Sequence, residues 1–369
     1  MSTQGSKMKI TSLILLVITS VNVLAQQINL VTHLNNSINE TSGLITINQK
    51  LITHNDSGGE AALYEIDTLS GNYTRKVTIG NATNQDWEDI CSDSNYIFIG
   101  DFGNNNGSRT NLKIYRILIS DYINTPSDTV IADTISFNYA DQTNFTPTSY
   151  STNFDAEAII AKDDSLYIFT KNWGNSWTNI YALPKTPGNY QTTKIDSINA
   201  QGLITGATYN KTNGTITLVG YTFTSPFVIK INQYINNQFS NGTVTKTVLS
   251  VPASIQTESI TPINQTQYYI TAEEHSSGSS SLYRFTEQIV GINKTVSPNN
   301  YIYPNPASNK LYLKHYNLKL AQIYSPSGVL VYQTKNKTID VSNLKKGIYI
   351  IKLTNNLNNK SIFQKILIK

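Results

Sequence analysis

The sequence predicts an all-β protein: a β-propeller of five blades, or six, followed by a small Ig-like β-sandwich. Three observations support this fold class. Tyrosine is frequent, with 23 residues, while only 14% of residues are charged, which is typical of strand-rich secreted proteins rather than helical enzymes. Short apolar strands recur in the same order along residues 26–285, and the charge changes sharply in residues 301–369.

The chain begins with a predicted signal peptide, residues 1–25. Lys7 and Lys9 precede the apolar run "ITSLILLVITSVNVLA", and Val23 and Ala25 satisfy the small-residue rule for cleavage after Ala25. A membrane anchor is the alternative. The run is short for a spanning helix of about 20 residues, and no later segment approaches that length. We therefore expect a mature chain that starts at Gln26 and has no transmembrane segment.

Five segments of the chain begin with a similar short motif. Each continues with a Tyr- or Ile-rich strand and a third strand, and four of them add a more polar fourth strand. The motifs recur about every 45–70 residues, which is the spacing of propeller blades. The five motifs are "TSGLI" at Thr41, "DWEDI" at Asp86, "DAEAI" at Asp155, "AQGLI" at Ala200 and "QTESI" at Gln256.

The fifth repeat lacks a clear fourth strand. The N-terminal segment "INLVTHL" could supply it and close the ring, which removes an open sheet edge. Six blades are the alternative if "ISFNYADQTNFTPTSY" hides a degenerate repeat. We assign residues 26–285 to the propeller and residues 286–300, where the repeat pattern is lost, to a linker.

Residues 301–369 differ from the rest of the chain in charge. They carry 11 basic residues and one acidic residue, Asp340, although the net charge of the whole chain is only +4. Such a shift indicates a separate domain. The lysines lie singly among short alternating strands, so a solvated face is favoured and nucleic-acid binding is not expected. The strands predict a small β-sandwich.

Three motifs in this domain carry a resemblance. "YPNPASNKLYL" at Tyr303, "IYSPSGVLVYQ" at Ile323 and "IDVSNLKKGIYIIKLT" at Ile339 occur in order. Together they resemble the C-terminal sorting domain, type A, of the type IX (Por) secretion system. The resemblance implies export by the type IX machinery and removal of the tail by a sortase-like enzyme. It also implies release of the protein or its attachment to surface lipopolysaccharide, hence a secreted or cell-surface location.

A terminal Ig-like carbohydrate or adhesion module is the alternative interpretation of this tail. Such modules usually offer exposed aromatic platforms, whereas the tyrosines here lie within the predicted strands.

Glutamates recur at one position of the five inner motifs, two residues before the apolar residue that ends each motif. Because the innermost strand of every propeller blade lines the central channel, equivalent positions converge on the axis. Converging carboxylates disfavour one another's ionisation unless a positive charge or a hydrogen-bond donor compensates. The residues at this position are Ser42, Glu88, Glu157, Gln201 and Glu258.

Two arrangements would compensate these acids. Ca²⁺ binds several carboxylate and carbonyl oxygens at about 2.3–2.6 Å, which makes the three glutamates, together with Asp101, candidate metal ligands. Alternatively, the glutamates accept backbone N–H bonds or pair with a basic residue such as Arg116 or Lys171. The sequence leaves both arrangements open.

A second polar group follows the second strand of several repeats and predicts a ligand-binding rim. The segments "HNDSGG", "GDFGNNNGSR" and "TAEEHSSG" also fit ordinary turns, in which Asp and Asn cap the turn and Gly adopts positive φ. Trp173 in "NWGNSW" is flanked by Asn and Gly, which favours an exposed aromatic surface. The predicted rim residues are His54, Asp56, Asp101, Lys171, Trp173 and Glu273.

The propeller repeats also resemble the superfamily of secreted six-bladed propellers that includes phytase-like and SdiA-regulated proteins. "THNDSGG", "DWEDI", "GDFGNN" and "DAEAI" carry this resemblance across residues 41–169, and it weakens at Gln201. The resemblance implies calcium binding and, in some members, phosphoester hydrolysis.

Two function classes follow from these patterns. A binding or structural protein would use the rim and its aromatic residues to hold an extracellular ligand. A calcium-assisted hydrolase, phosphoesterase- or lactonase-like, would hold the ion with the glutamates and polarise its substrate with His54 or Lys171. The chain has no P-loop, G-x-S-x-G or H-E-x-x-H motif, so we favour the binding protein.

The tail predicts a secretion phenotype. Removal of residues 301–369 should leave the propeller in the periplasm of its own host, because the repeats are complete without the tail and the sorting signal is lost. Immunoblots of periplasm and medium, with the full-length chain as control, measure this. Normal appearance of the truncated protein in the medium would contradict a sorting role.

Overall fold

The computed structural model describes residues 26–251, 255–274, 280–287, 301–314, 316–356 and 361–369. The predicted signal peptide with Ala25, and the predicted linker beyond residue 287, lie outside the described residues. The chain divides into two compact units, Met1–Ile289 and Val290–Lys369. Both consist mainly of strands, so the predicted all-β class is confirmed. No helix among the described residues is long and apolar enough to cross a membrane.

The first half of the larger unit contains ten strands, one short α-helix and a 3₁₀ turn at Asn36–Ile38. They are β1 (Gln26–His33), β2 (Thr41–Ile47), β3 (Lys50–Asn55), β4 (Ala62–Ile66), β5 (Tyr73–Ile79), β6 (Trp87–Ser92), β7 (Tyr96–Asp101), β8 (Lys113–Leu118), α1 (Ile119–Asn124), β9 (Thr129–Val130) and β10 (Asp133–Tyr139).

The second half contains twelve further strands and a 3₁₀ turn at Phe239–Asn241. The strands are β11 (Ala156–Lys162), β12 (Ser165–Thr170), β13 (Thr178–Pro184), β14 (Gly188–Thr192), β15 (Lys194–Ile198), β16 (Leu203–Asn210), β17 (Thr215–Tyr221), β18 (Pro226–Asn232), β19 (Thr243–Ser250), β20 (Ile255–Pro262), β21 (Gln267–Glu274) and β22 (Ser280–Thr286).

Within the described residues these strands form five antiparallel sheets that follow the five sequence repeats. The first sheet is β2-β3-β4-β5, the second β6-β7-β8-β10, the third β11-β12-β13-β15 and the fourth β16-β17-β18-β19. The fifth is β20-β21-β22 with β1. Two short segments add parallel strands, β9 beside β5 and β14 beside β10.

The N-terminal strand completes the fifth sheet, as the sequence predicts. β1 pairs antiparallel with β22 from Ile28 to His33, and its first residues run parallel to the end of β19. One strand from the start of the chain therefore joins the fourth and fifth sheets and leaves neither with a free edge there.

The five inner strands contact one another in cyclic order: β2, β6, β11, β16, β20 and again β2. Neighbouring sheets bury a hydrophobic cluster between them. Ile97 and Ile99 of β7 pack toward the first sheet, whereas Phe98 packs toward the third. Because both faces of such a strand are buried, its sequence is apolar almost throughout, which explains the weak alternation of "NYIFIG".

Each inner strand carries a register shift at the same place, where an extra residue has no partner on the second strand. In the fourth sheet Ile204 pairs with Gly220 and Gly206 with Val219, so the extra residue is Thr205. The alignment that places Gln201 there is wrong. Gln201 lies two residues before Leu203, and Thr205 lies two residues before Ala207. Because Leu203 and Ala207 are both buried, the apolar pattern does not show which of them ends the motif. The residues at the shift are Ser42, Glu88, Glu157, Thr205 and Glu258.

Side chains at and beside the shift bind the inner strands together. Ser42 donates to the Glu88 carbonyl, and Thr205 donates to the Thr257 carbonyl at 2.6 Å. Asp89 is fully buried and accepts the backbone N–H groups of Ile90, Ile159 and Ala207 at 2.8, 2.9 and 3.2 Å. A single carboxylate thus connects β6, β11 and β16.

The segment considered for a sixth repeat forms no sheet of its own. Its first residues belong to β10 of the second sheet, and residues 140–154 contain no strand.

The smaller unit contains two sheets around one core. A three-stranded sheet, β23-β24-β27, and a four-stranded sheet, β26-β25-β28-β29, share a buried cluster that includes Leu311, Ile323 and Leu353. The strands are β23 (Ile302–Tyr303), β24 (Lys310–Leu313), β25 (Leu318–Tyr324), β26 (Leu330–Thr334), β27 (Thr338–Asp340), β28 (Gly347–Asn355) and β29 (Ser361–Ile368).

Ring closure by β1 predicts a contrast between two residues of that strand. Ile28 is 2% exposed and belongs to the core between the fourth and fifth sheets, whereas Leu30 is 49% exposed. Ile28→Ala should lower the free energy of unfolding by about 2–5 kcal/mol. Leu30→Ala should change it much less. Urea denaturation measures both, and equal effects would contradict a structural role for the β1 seam.

Candidate functional site

Five carboxylates gather where β6 and β11 begin, beside the end of β3. They form two groups of three, and within each group one oxygen from every member lies within 4.8 Å of the others. Glu88 belongs to both groups. The first acid triad is Asp56, Asp86 and Glu88, and the second is Glu88, Asp155 and Glu157.

Glu88 is the centre of this arrangement. Its side chain is 4% exposed, and among the described residues its carboxylate receives no hydrogen bond and forms no ion pair. Burial, reinforced by the charges of Asp56 and Glu157, raises the pKa of Glu88 well above its usual range. An uncompensated buried carboxylate is costly, so this position favours a cation or a proton.

The second triad already has compensating groups. The Lys171 ammonium lies 3.0 Å from Glu157 Oε1, and both residues are buried. Asp155 accepts the backbone N–H of Asn104 at 2.5 Å and the indole N–H of Trp173 at 2.8 Å. Burial alone would lower the pKa of Lys171, but the surrounding carboxylates, Glu157 first, outweigh it and raise that pKa. Lys171 therefore stays protonated.

Glu258 and Glu273 lie near the triads without joining them. Burial raises the pKa of Glu258 to about 8 and that of Glu273 to about 7. Among the acids of the first triad, burial raises the pKa of Asp56 to about 7 and that of Asp86 to about 6. Several carboxylates of this region are therefore partly protonated near neutral pH.

Asp101 differs from its predicted role as a metal ligand or rim residue. It pairs with Trp87 in the register of β6 and β7 and is fully buried. Its Oδ1 atom accepts from Arg109 at 2.8 Å and from the Asp86 backbone at 3.2 Å. Arg109 also lies 3.8 Å from Asp86 Oδ2. Asp101 thus anchors Arg109 beside the first triad rather than joining it.

His54 is the second departure from the predicted rim. It is fully buried, its Nδ1 donates to the Asn55 carbonyl at 2.9 Å, and its Nε2 accepts the Gly43 N–H at 3.3 Å. Burial lowers its pKa to about 4. Since both ring nitrogens are used by the backbone, His54 cannot polarise a substrate as the hydrolase interpretation requires.

Arg116, the other predicted partner of the glutamates, makes its ion pair elsewhere. Arg116 pairs with Asp133 at 2.5 Å, not with the glutamates. Trp87 is fully buried and donates its indole N–H to the Thr83 carbonyl at 3.0 Å. Trp173 is half-buried against the acids, whereas Trp177 is 39% exposed.

Sequence reasoning did not single out Asp86 and Asp155 as site residues. Each precedes a glutamate by two positions, in "DWE" and "DAE", and the repeated D-x-E spacing is the signal that could have identified them. In both repeats the pair spans the start of the inner strand, so both carboxylates reach the same triad.

Comparison with known proteins identifies the tail. Residues 301–369 match the family model described as the secretion system C-terminal sorting domain, which confirms the predicted type IX sorting domain. The match indicates a secreted or cell-surface protein that interacts with the type IX secretion machinery. No curated protein matches the chain.

Solved structures show weaker likenesses. PorZ, an essential surface component of the type IX secretion system of Porphyromonas gingivalis, is 12% identical with a TM-score of 0.36, over 89% of this chain and 45% of PorZ. An exo-β-1,3-galactanase from Phanerochaete chrysosporium is 11% identical with a TM-score of 0.44, over 88% of this chain and 95% of the galactanase. The chain thus spans less than half of PorZ, and at these scores neither likeness indicates a function.

The raised pKa values predict a pH dependence in the absence of metal. Asp56, Glu258 and Glu273 bind protons more tightly in the folded chain, with pKa values of about 7, 8 and 7 against 3.8, 4.5 and 4.5 in the unfolded chain. The folded state therefore holds more protons, and stability should fall as pH rises from about 6.5 to 8.

Melting temperatures in EDTA across this range measure the effect. The lowered pKa of His54, about 4 against 6.5, acts in the opposite direction but only below pH 6.5. The double variant Glu258→Gln, Glu273→Gln should flatten the slope. A wild-type melting temperature that rises between pH 6.5 and 8 would contradict the assignment.

Proposed function

We propose that residues 26–287 form a five-bladed β-propeller whose axial acids bind Ca²⁺, and that the protein is a secreted or cell-surface binding module. The cyclic order of the five inner strands and the closure by β1 support the blade count. The observation that carries the metal proposal is Glu88, a buried carboxylate that has no donor among the described residues and is shared by two acid triads.

The donor set fits a hard cation. All of its members are carboxylates, and Ca²⁺ prefers oxygen ligands at about 2.3–2.6 Å, so two oxygens on one ion lie at most about 5 Å apart. The oxygens of each triad satisfy this limit, since they lie within 4.8 Å of one another. Gly103 allows this approach, because a Cβ there would overlap Glu88 Oε1 and Asp86 Oδ2.

The first triad suits the ion better than the second. In the second triad the Lys171 ammonium would repel a cation, and both Asp155 oxygens already accept hydrogen bonds. In the first triad Arg109 lies 3.8 Å from one Asp86 oxygen, while Lys171 acts on Asp56 and Asp86 only from beyond ion-pair distance. Asp56, Asp86 and Glu88 would therefore hold the ion, and Glu157 would remain with Lys171.

The two units then have separate roles. The tail would direct export and, as its resemblance implies, release of the propeller or its attachment to surface lipopolysaccharide. The propeller would present its rim to an extracellular ligand, with the ion linking segments of the first and second blades.

The metal proposal predicts a loss of calcium response in Glu88→Gln. This substitution keeps the shape of the side chain but removes the charge from the residue common to both triads. At a Ca²⁺ concentration of about a hundred times the Kd, the wild-type chain should gain about 2.7 kcal/mol of stability. The variant should fold and gain far less, as measured by melting in Ca²⁺ and in EDTA.

Glu60→Gln is the matched control, because the Glu60 side chain is 64% exposed and pairs only with Lys76 among the described residues. It should respond to Ca²⁺ like the wild type. A wild-type melting temperature that changes with neither Ca²⁺ nor EDTA would contradict the proposal that the acids bind Ca²⁺.

A further inference from the structure

An aromatic pair, with Tyr150 exposed and Trp173 half-buried, borders the acid triads. The rings of Tyr150 and Trp173 lie 4.7 Å apart at a steep angle, and Tyr150 is 64% exposed. The Tyr150 backbone has a φ of 52°, a left-handed conformation that is rare for bulky residues. Strain of this kind in a non-glycine residue persists only where the surroundings enforce it, and such residues cluster at ligand sites.

The surroundings of Tyr150 hold it firmly. Its backbone N–H donates to the Asn105 carbonyl at 3.2 Å, and the neighbouring Thr152 carbonyl accepts from Trp173 at 3.0 Å. Gly174 donates to the Asn153 side chain at 3.2 Å. Three loops from the second and third sheets are thus joined, so the aromatic pair is fixed before any ligand arrives, and binding would require little ordering.

The aromatic pair is connected directly to the acids. The Trp173 indole N–H donates to Asp155 Oδ2 at 2.8 Å, and Asp155 shares the second triad with Glu88. On the same indole the Lys171 ammonium lies 4.9 Å from the ring centroid. A ligand that stacks on Tyr150 would therefore have carboxylates and an ammonium group close by.

The first triad supplies only three protein side chains, whereas Ca²⁺ takes six to eight oxygens. Asp56 and Asp86 are half-buried, while Glu88 is 96% removed from solvent and has no donor among the described residues. An ion held there would need further oxygen ligands, and the half-buried Asp56 and Asp86 leave the site accessible to them. Water or the oxygens of a bound molecule would supply these ligands.

We propose that the ligand of this rim is a saccharide, with one sugar ring against Tyr150 and neighbouring hydroxyl groups on the ion held by the first triad. Sugar hydroxyls are neutral oxygen ligands that suit Ca²⁺, and the apolar face of a sugar ring suits an aromatic surface. The inference rests on the proposed function, because the ion belongs to the same triad. A cationic peptide is the competing ligand, since carboxylates and aromatic rings also attract ammonium groups.

Native gel electrophoresis of the full-length chain through gels containing mannan, arabinogalactan, xylan or dextran tests the proposal. In Ca²⁺ at least one polysaccharide should retard the wild type, and EDTA should abolish the retardation. Tyr150→Ala should weaken the interaction by roughly tenfold, whereas Tyr150→Phe should retain it. Tyr73→Ala, at a 40% exposed tyrosine on β5, is the matched control and should bind like the wild type.

The outcomes separate this inference from the metal proposal. A calcium-dependent thermal shift without retardation by any of the four polysaccharides would contradict the saccharide proposal. The proposal that the acids bind Ca²⁺ would remain. Retardation that persists in EDTA would contradict binding of the saccharide through the Ca²⁺ ion. Binding of oligolysine in EDTA that disappears at high salt would identify a cationic peptide and overturn the saccharide.

Discussion

One extra residue in each inner strand is the constraint on which the axial site depends. A β-bulge turns the side chain at that position away from the regular alternation of the strand, and all five inner strands carry it at the same level. Ser42 and Thr205 use the position to bind the backbone of the next inner strand, while the other three strands place a glutamate there. The same distortion therefore holds the ring together and concentrates charge within it.

The acids at this level are compensated in different ways. Asp89 is satisfied by three backbone N–H groups and Glu157 by Lys171. Asp101 pairs with Arg109 through Oδ1, although its buried Oδ2 has no hydrogen-bond partner among the described residues. Each of these three acids therefore has a compensating group within the fold. Glu88 has no such compensation among the described residues, and unlike Glu258 and Glu273, which also lack it, Glu88 belongs to both acid triads. The metal proposal follows from this difference rather than from the number of acids.

The two units carry different kinds of information about function. In the tail, the matched family identifies the route out of the cell, and the small sandwich has its own core. In the larger unit, function can be inferred only from side chains. The aromatic pair Tyr150 and Trp173, the protonated Lys171 and the first acid triad lie close together. Lys171, which pairs with Glu157 beside the unpaired Glu88, would also repel a cation from the second triad and favour the first.

The sequence by itself determined the strands, the five repeats, the closing strand "INLVTHL" and the sorting tail. These features depend on local composition and on motifs whose spacing is visible in the linear sequence. Tertiary structure alone decided which acids meet. The bulges interrupt the two-residue period of a strand, so the alignment placed Gln201 at the position that Thr205 occupies. Buried residues on both faces removed the alternation that would have revealed these shifts. The unpaired state of Glu88 depends on where Lys171 and Arg109 point, which the order of residues does not specify.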